Sequence, residues 1–141
     1  MVKKILHVGI ITKDFEKGIN RFKNFGLPLT EVKELKDLGV KIGFFPLGDA
    51  SLELIGFTDP EKSKNSIVQK HKNVINHICF EVDDLEKTIQ EFEHNGAKVV
   101  PGYPKAGAHG RVAFFYPETT EYVLIELCQI LPHASHEKDS R

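Results

Sequence analysis

Residues 5–11, ILHVGII, alternate as a half-buried strand does, with Leu6, Val8 and Ile10 on one face and Ile5, His7, Gly9 and Ile11 on the other. The Leu6 face is expected to pack on a helix. That helix begins at an N-cap on Thr12 or Asp14, carries Phe15, Ile19, Phe22 and Lys23 at helical spacing, and stops at Gly26 and Pro28. TEVKELKD (30–37), VKIGFFPL (40–47) and SLELIGF (51–57) then read as three strands, with turns at Gly39 and at Gly48-Asp49. In the last of them Leu52 and Leu54 face one way, and Ser51, Glu53 and Ile55 the other. The predicted order is β-α-β-β-β.

The same plan returns further on. INHICFEV (75–82) repeats ILHVGII, and its histidine, His77, stands 70 positions after His7. That offset sets Asp14 on Asp84, Ile19 on Ile89, Phe22 on Phe92, Gly26 on Gly96, and Phe44-Phe45 on Phe114-Phe115. With three residues more, LELI (52–55) falls on IELC (125–128), so that Glu53 answers Glu126. The chain is two copies of one module of about 70 residues. A second helix from about Asp84 turns Leu85, Thr88, Ile89 and Phe92 inward, and AKVVPGYP, RVAFFYP and EYVLIELC supply three more strands. Between the first two of these lies the small-residue loop KAGAHG (105–110).

One domain is expected over residues 1–141, with module one at about 5–57, a linker at about 58–73, module two at about 74–130 and a disordered tail at about 132–141. The linker opens at Pro60, is dominated by charge, and contains SIVQKHK, which suits a short helix. Neither module can cover both faces of its own sheet, so the fold class is α+β: two βαβββ modules forming a curved mixed sheet with a cleft between them.

Composition narrows the chemistry. Nineteen basic and 20 acidic residues are interspersed for a net charge of −1, which leaves no electrostatic footprint for nucleic acid or an anionic membrane. A small-molecule partner is the better expectation. Two cysteines, Cys79 and Cys128, both inside apolar runs, make no disulfide framework and point to the cytoplasm. The opening MVKKILHVGII is too short an apolar run, and lacks the small-residue cleavage site, for a signal peptide; no stretch approaches a membrane span.

In each module the first strand puts a histidine on the face away from the helix, and the closing strand, if it lies alongside, adds a glutamate. His7, Glu53, His77 and Glu126 then converge as a nitrogen and oxygen donor set without thiolate, which suits one divalent transition metal such as Co, Ni, Zn or Mn. Burying two carboxylates in apolar strands costs several kcal/mol each unless a cation meets them. Neither LELI nor VLIELC contains a lysine, arginine or histidine to supply that cation.

With LHVGIITKD, GVKIGFFPLGDASLELI, NHICFEVDDLEKTI, GAHGRVAFFYP and VLIEL in that order, residues 5 to about 130 resemble the vicinal oxygen chelate superfamily of glyoxalase I, methylmalonyl-CoA epimerase, extradiol dioxygenases and fosfomycin- and bleomycin-resistance proteins. The resemblance is greatest to the methylmalonyl-CoA epimerases. It implies the same four metal ligands and an enzyme in which the metal grips a carbonyl substrate while a base removes the proton α to the carbonyl. Glu126, loosened from the metal, is the first choice for that base and Glu53 the second. His109 resembles the family's loop over the cleft, and His109, Glu81, Phe44 and Phe114 are expected to contact substrate.

The implied substrate is an acyl-CoA thioester. The alternatives are a glutathione adduct, turned over by a glyoxalase I-type lyase, or a ligand that a non-catalytic binding protein merely holds. A homodimer is implied by analogy. The chain departs from the epimerase pattern where HPK and a later GG are replaced by Tyr116-Pro117-Glu118 and Glu121-Tyr122. No carboxylate lies in VKIGFF to act as a second base.

Overall fold

A computed structural model describes residues 1–71 and 73–131, so the expected tail lies outside the described residues. Among the described residues eight strands, β1 (Val2–Ile11), β2 (Glu31–Leu35), β3 (Val40–Leu47), β4 (Ala50–Phe57), β5 (Ile75–Val82), β6 (Lys105–Ala106), β7 (Gly110–Phe114) and β8 (Ile125–Ile130), run in the order β2-β3-β4-β1-β5-β8-β7-β6 in one mixed sheet. The chain divides into two compact units, one His7–His77 and the other Met1–Leu6 together with the chain from Ile78 onward.

In the first of these, β1 (Val2–Ile11) is followed by α1 (Phe15–Asn24), β2 (Glu31–Leu35), β3 (Val40–Leu47) and β4 (Ala50–Phe57). β4 runs parallel to β1, with His7 opposite Ser51 and Gly9 opposite Glu53. β3 and β4 pair antiparallel, which sets Phe44 opposite Glu53 and Phe45 opposite Leu52. Asp14 caps α1 by accepting from the Lys17 amide at 3.1 Å. Ile19, Phe45 and Leu54 form the core beneath it, with Phe15 and Phe22 packed against them. Phe22 meets Phe45 edge-on at 5.5 Å.

The other unit is built by the same residues displaced along the chain. β5 (Ile75–Val82), α4 (Leu85–His94), β7 (Gly110–Phe114) and β8 (Ile125–Ile130) correspond to β1, α1, β3 and β4. β8 is parallel to β5, with Cys79 opposite Glu126. Asp84 caps α4 through the Lys87 amide, again at 3.1 Å. Ile89, Phe115 and Leu127, the counterparts of Ile19, Phe45 and Leu54, are all buried in one cluster with Val82, Leu85 and Ala113. Phe92 stacks on Phe115 at 5.1 Å. Full burial of each such phenyl contributes about 1.5–3 kcal/mol, so the repeat preserves the core as well as the pattern.

Two expectations need correction. AKVVPGYP forms no strand: Val99 makes an isolated bridge to Phe115, and β6 is only Lys105–Ala106, inside the segment read as a loop. Pro101 and Pro104 bring no amide hydrogen to a ladder, and Gly102 takes φ 94, so the run cannot stay extended and paired. Leu6, in turn, packs with Cys79, Val112 and Cys128 and not in the core under α1, because β1 passes from one unit to the other between Leu6 and His7. The linker holds two single-turn helices, α2 (Pro60–Ser63) and α3 (Ile67–Lys70), capped by Asp59 and Ser66.

The departure at Glu121-Tyr122 has a backbone meaning. Both residues have positive φ, 59° and 64°. The Val123 amide donates to the Thr120 carbonyl at 3.2 Å, which closes a turn whose two central residues suit glycine. Glu121→Gly and Tyr122→Gly are each expected to stabilise the fold by about 1 kcal/mol, read as a raised midpoint in denaturant unfolding.

Candidate metal centre

Three side chains meet inside the unit His7–His77. His7, Glu53 and His77 are 6%, 5% and 4% exposed. His7 Nε2 is 3.1 Å from His77 Nε2. His7 Nδ1 is 3.0 Å from Glu53 Oε2. Strand alternation accounts for the contact of His7 with Glu53: His7 and Gly9 share a face of β1, and the parallel register brings Glu53 beside Gly9 on that face.

Gly9 supplies the space. A Cβ there would lie 2.3, 2.6 and 2.8 Å from Cε1, Nδ1 and Nε2 of His77, so the imidazole lies where a side chain would stand. The ring's other nitrogen, Nδ1, is 2.7 Å from Asn76 Oδ1. Ser51, opposite His7 in register and on the Glu53 face, is 6% exposed, and its hydroxyl has no hydrogen-bond partner among the described residues. A buried hydroxyl of this kind is a donor available to a bound oxygen.

Glu126 is 7% exposed on β8, with Cys79 opposite it on one side and Phe114 on the other. His7, His77 and Glu126 are all buried and are of the residue types that could hold a metal ion. Two imidazole nitrogens with carboxylate oxygens, a ring seated over a glycine and no thiolate form a donor set that fits a divalent transition metal.

The remaining expected contacts divide. Phe44 and Phe114, 3% and 5% exposed, stand opposite Glu53 and Glu126 and so on their faces, whereas Phe45 and Phe115 turn to the cores. Glu81 is engaged by two lysines of β1, 3.7 Å from Lys3 Nζ and 3.9 Å from Lys4 Nζ. His109 is half-buried in a loop closed by the Gly107 amide on the Gly110 carbonyl at 2.7 Å.

Sequence reasoning passed over Gly9, Ser51, Asn76 and Tyr103. Tyr103 is half-buried, edge-on to Phe114 at 5.4 Å, with the Lys105 ammonium 4.8 Å from its ring centre. Burial, and then the charge of Glu126, push its hydroxyl up to about 12. In an absorbance titration one of the three tyrosines is therefore expected to ionise near pH 12, and Tyr103→Phe to remove that component. From pH 10 to about 12 the folded protein keeps a proton that the unfolded chain releases, so wild type loses stability with rising pH where Tyr103→Phe does not.

Residues 6–115 match the family model described as the glyoxalase/bleomycin resistance protein/dioxygenase superfamily. The mitochondrial methylmalonyl-CoA epimerase of Dictyostelium discoideum is 31% identical over 129 residues, covering 89% of this chain and 78% of that protein. The ethylmalonyl-CoA/methylmalonyl-CoA epimerase of Cereibacter sphaeroides is 30% identical over 134 residues, covering 92% of this chain and all of that one. Among solved structures, a hypothetical protein of Bacillus halodurans superposes with a TM-score of 0.80 at 30% identity, covering 91% and 94% of the two chains. The methylmalonyl-CoA epimerase of Mycobacterium tuberculosis gives 0.81 at 22% identity, covering 96% and 93%, a likeness of fold.

Proposed function

The chain belongs to the glyoxalase/bleomycin resistance protein/dioxygenase superfamily, and from that premise we propose that it is a metal-dependent epimerase acting on the carbon α to an acyl-CoA thioester, methylmalonyl-CoA being the substrate to test. The observation that carries the reading is the buried meeting of His7, Glu53 and His77 in a chain about 30% identical to two epimerases of that substrate class. His7, Glu53, His77 and Glu126 would hold one divalent ion. When bound, such an ion polarises the carbonyl and favours negative charge on its oxygen.

The side chains do the rest. Glu126, buried on β8, accepts the proton from the α carbon. Return of a proton to the opposite face inverts the centre, with Glu53 the second candidate to carry it. Phe44 and Phe114 wall the acidic side chains from water, which strengthens every charge interaction within. His109 and Glu81 are candidates for contact with the rest of the substrate. Cys79 and Cys128 are buried thiols not joined in a disulfide, which supports a reducing compartment such as the cytoplasm. No helix among the described residues is long and apolar enough to cross a membrane.

The test is solvent deuterium uptake into methylmalonyl-CoA by protein purified without chelator and assayed for metal. Uptake that chelation abolishes and Co(II) or Mn(II) restores is the expected result. Absence of uptake by the metal-loaded protein, or lactoylglutathione formation from the methylglyoxal-glutathione adduct in its place, would overturn the assignment.

A further inference from the structure

We propose that Asn76 is the positioning residue of the second histidine: it holds the His77 imidazole with its hydrogen on Nδ1 and so presents the Nε2 lone pair for a metal ion. The inference rests on the metal reading above for its purpose, but not for its geometry.

Asn76 is 1% exposed. Its Nδ2 donates to two main-chain carbonyls, Val68 and His71, each at 2.9 Å. Both amide hydrogens are thus spent, and the reversed amide would set its oxygen against two other oxygens, so the orientation is determined by chemistry. Oδ1 then points at His77 Nδ1, 2.7 Å away, and at that distance the acceptor needs an N–H facing it. A neutral imidazole with hydrogen on Nδ1 carries its lone pair on Nε2. That nitrogen is the one 3.1 Å from His7 Nε2.

The device belongs to one copy only. The repeat counterpart of Asn76 is Leu6, and His7 Nδ1 faces the Glu53 carboxylate where His77 Nδ1 faces an amide. The carbonyls that aim the amide come from α3 and its C-cap, within the linker that has no counterpart in the repeat. The linker therefore does more than join two modules: it fixes the amide that orients the second ring. Outer contacts of this sort set the tautomer and ring direction of metal-binding histidines, and their loss costs about 10–100-fold in metal affinity.

Nitrogen-15 NMR of the imidazoles in the full, metal-free chain tests this directly. His77 is expected to carry hydrogen on Nδ1 in wild type and to lose that preference in Asn76→Ala. Co(II) titration is expected to show about 10–100-fold weaker binding in Asn76→Ala. Hydrogen on Nε2 in wild type overturns the proposal, as does an Asn76→Ala protein with unchanged tautomer and affinity. Should Asn76→Ala not fold, the wild-type spectrum decides alone. A wild type that has the Nδ1 hydrogen but binds no Co(II) would sink the metal reading while leaving the ring's orientation assigned.

Discussion

Gly9→Ala is expected to weaken divalent metal binding by about 10–100-fold or more and to reduce turnover with it, although the change adds one methyl group. The new Cβ would stand 2.3–2.8 Å from three atoms of the His77 ring, where no real contact is tolerated. The ring has little freedom to move aside, because Nδ1 is held by Asn76 at 2.7 Å. Either the Asn76 bond breaks or β1 shifts, and β1 carries His7. Overpacking of this kind also costs about 1–3 kcal/mol of stability. Gly48→Ala separates the two effects: Gly48 has φ +65° and open space about its Cβ position, so alanine there strains the backbone without touching the imidazoles. Calorimetric titration with Co(II) should show wild-type affinity in Gly48→Ala and a large loss in Gly9→Ala. Wild-type affinity in both would remove His77 from the metal set.

The second large effect is expected from Glu126→Gln. The amide keeps the size of the side chain and one oxygen, so metal is retained in part, but it cannot accept a proton. Loss of a positioned base costs about 10²–10⁴-fold, and deuterium uptake into methylmalonyl-CoA should fall by that factor while the metal content falls less. Glu53→Gln separates the roles, since its carboxylate is 3.0 Å from His7 Nδ1 and its loss should disturb metal binding first. Uptake near the wild-type rate in Glu126→Gln would assign the proton transfer to another group.

Much of this architecture can be read from the chain before any coordinates, for local reasons. Asp14 and Asp84 cap helices because each stands just before a helical apolar period, and the bonds they make, to Lys17 and Lys87, involve residues three positions away. Phe45 and Phe115 lie under helices while Phe44 and Phe114 do not, because side chains on a strand alternate. The same alternation put His7 and Glu53 on one face once β4 was placed beside β1. Where the pattern misled, the cause was equally specific. AKVVPGYP has an apolar pair, but its prolines deny it a ladder, and pairing moves on to Lys105–Ala106.

By itself, the order of residues determined the duplication, the cores of both copies, and which four side chains are candidates to hold an ion. Each of these depends on periodicity or on repeat position, and neither needs a distant partner. Only the tertiary structure decided that the His77 ring lies over Gly9, that Asn76 faces its Nδ1, that Ser51 is left with a buried hydroxyl, and that Glu121 and Tyr122 sit at positive φ. The physical reason is that these are contacts of about 3 Å or less, or torsions imposed by turn closure. A residue's neighbours at that range are chosen by strand register and packing across some 70 positions of chain, which no local run of polar and apolar residues encodes.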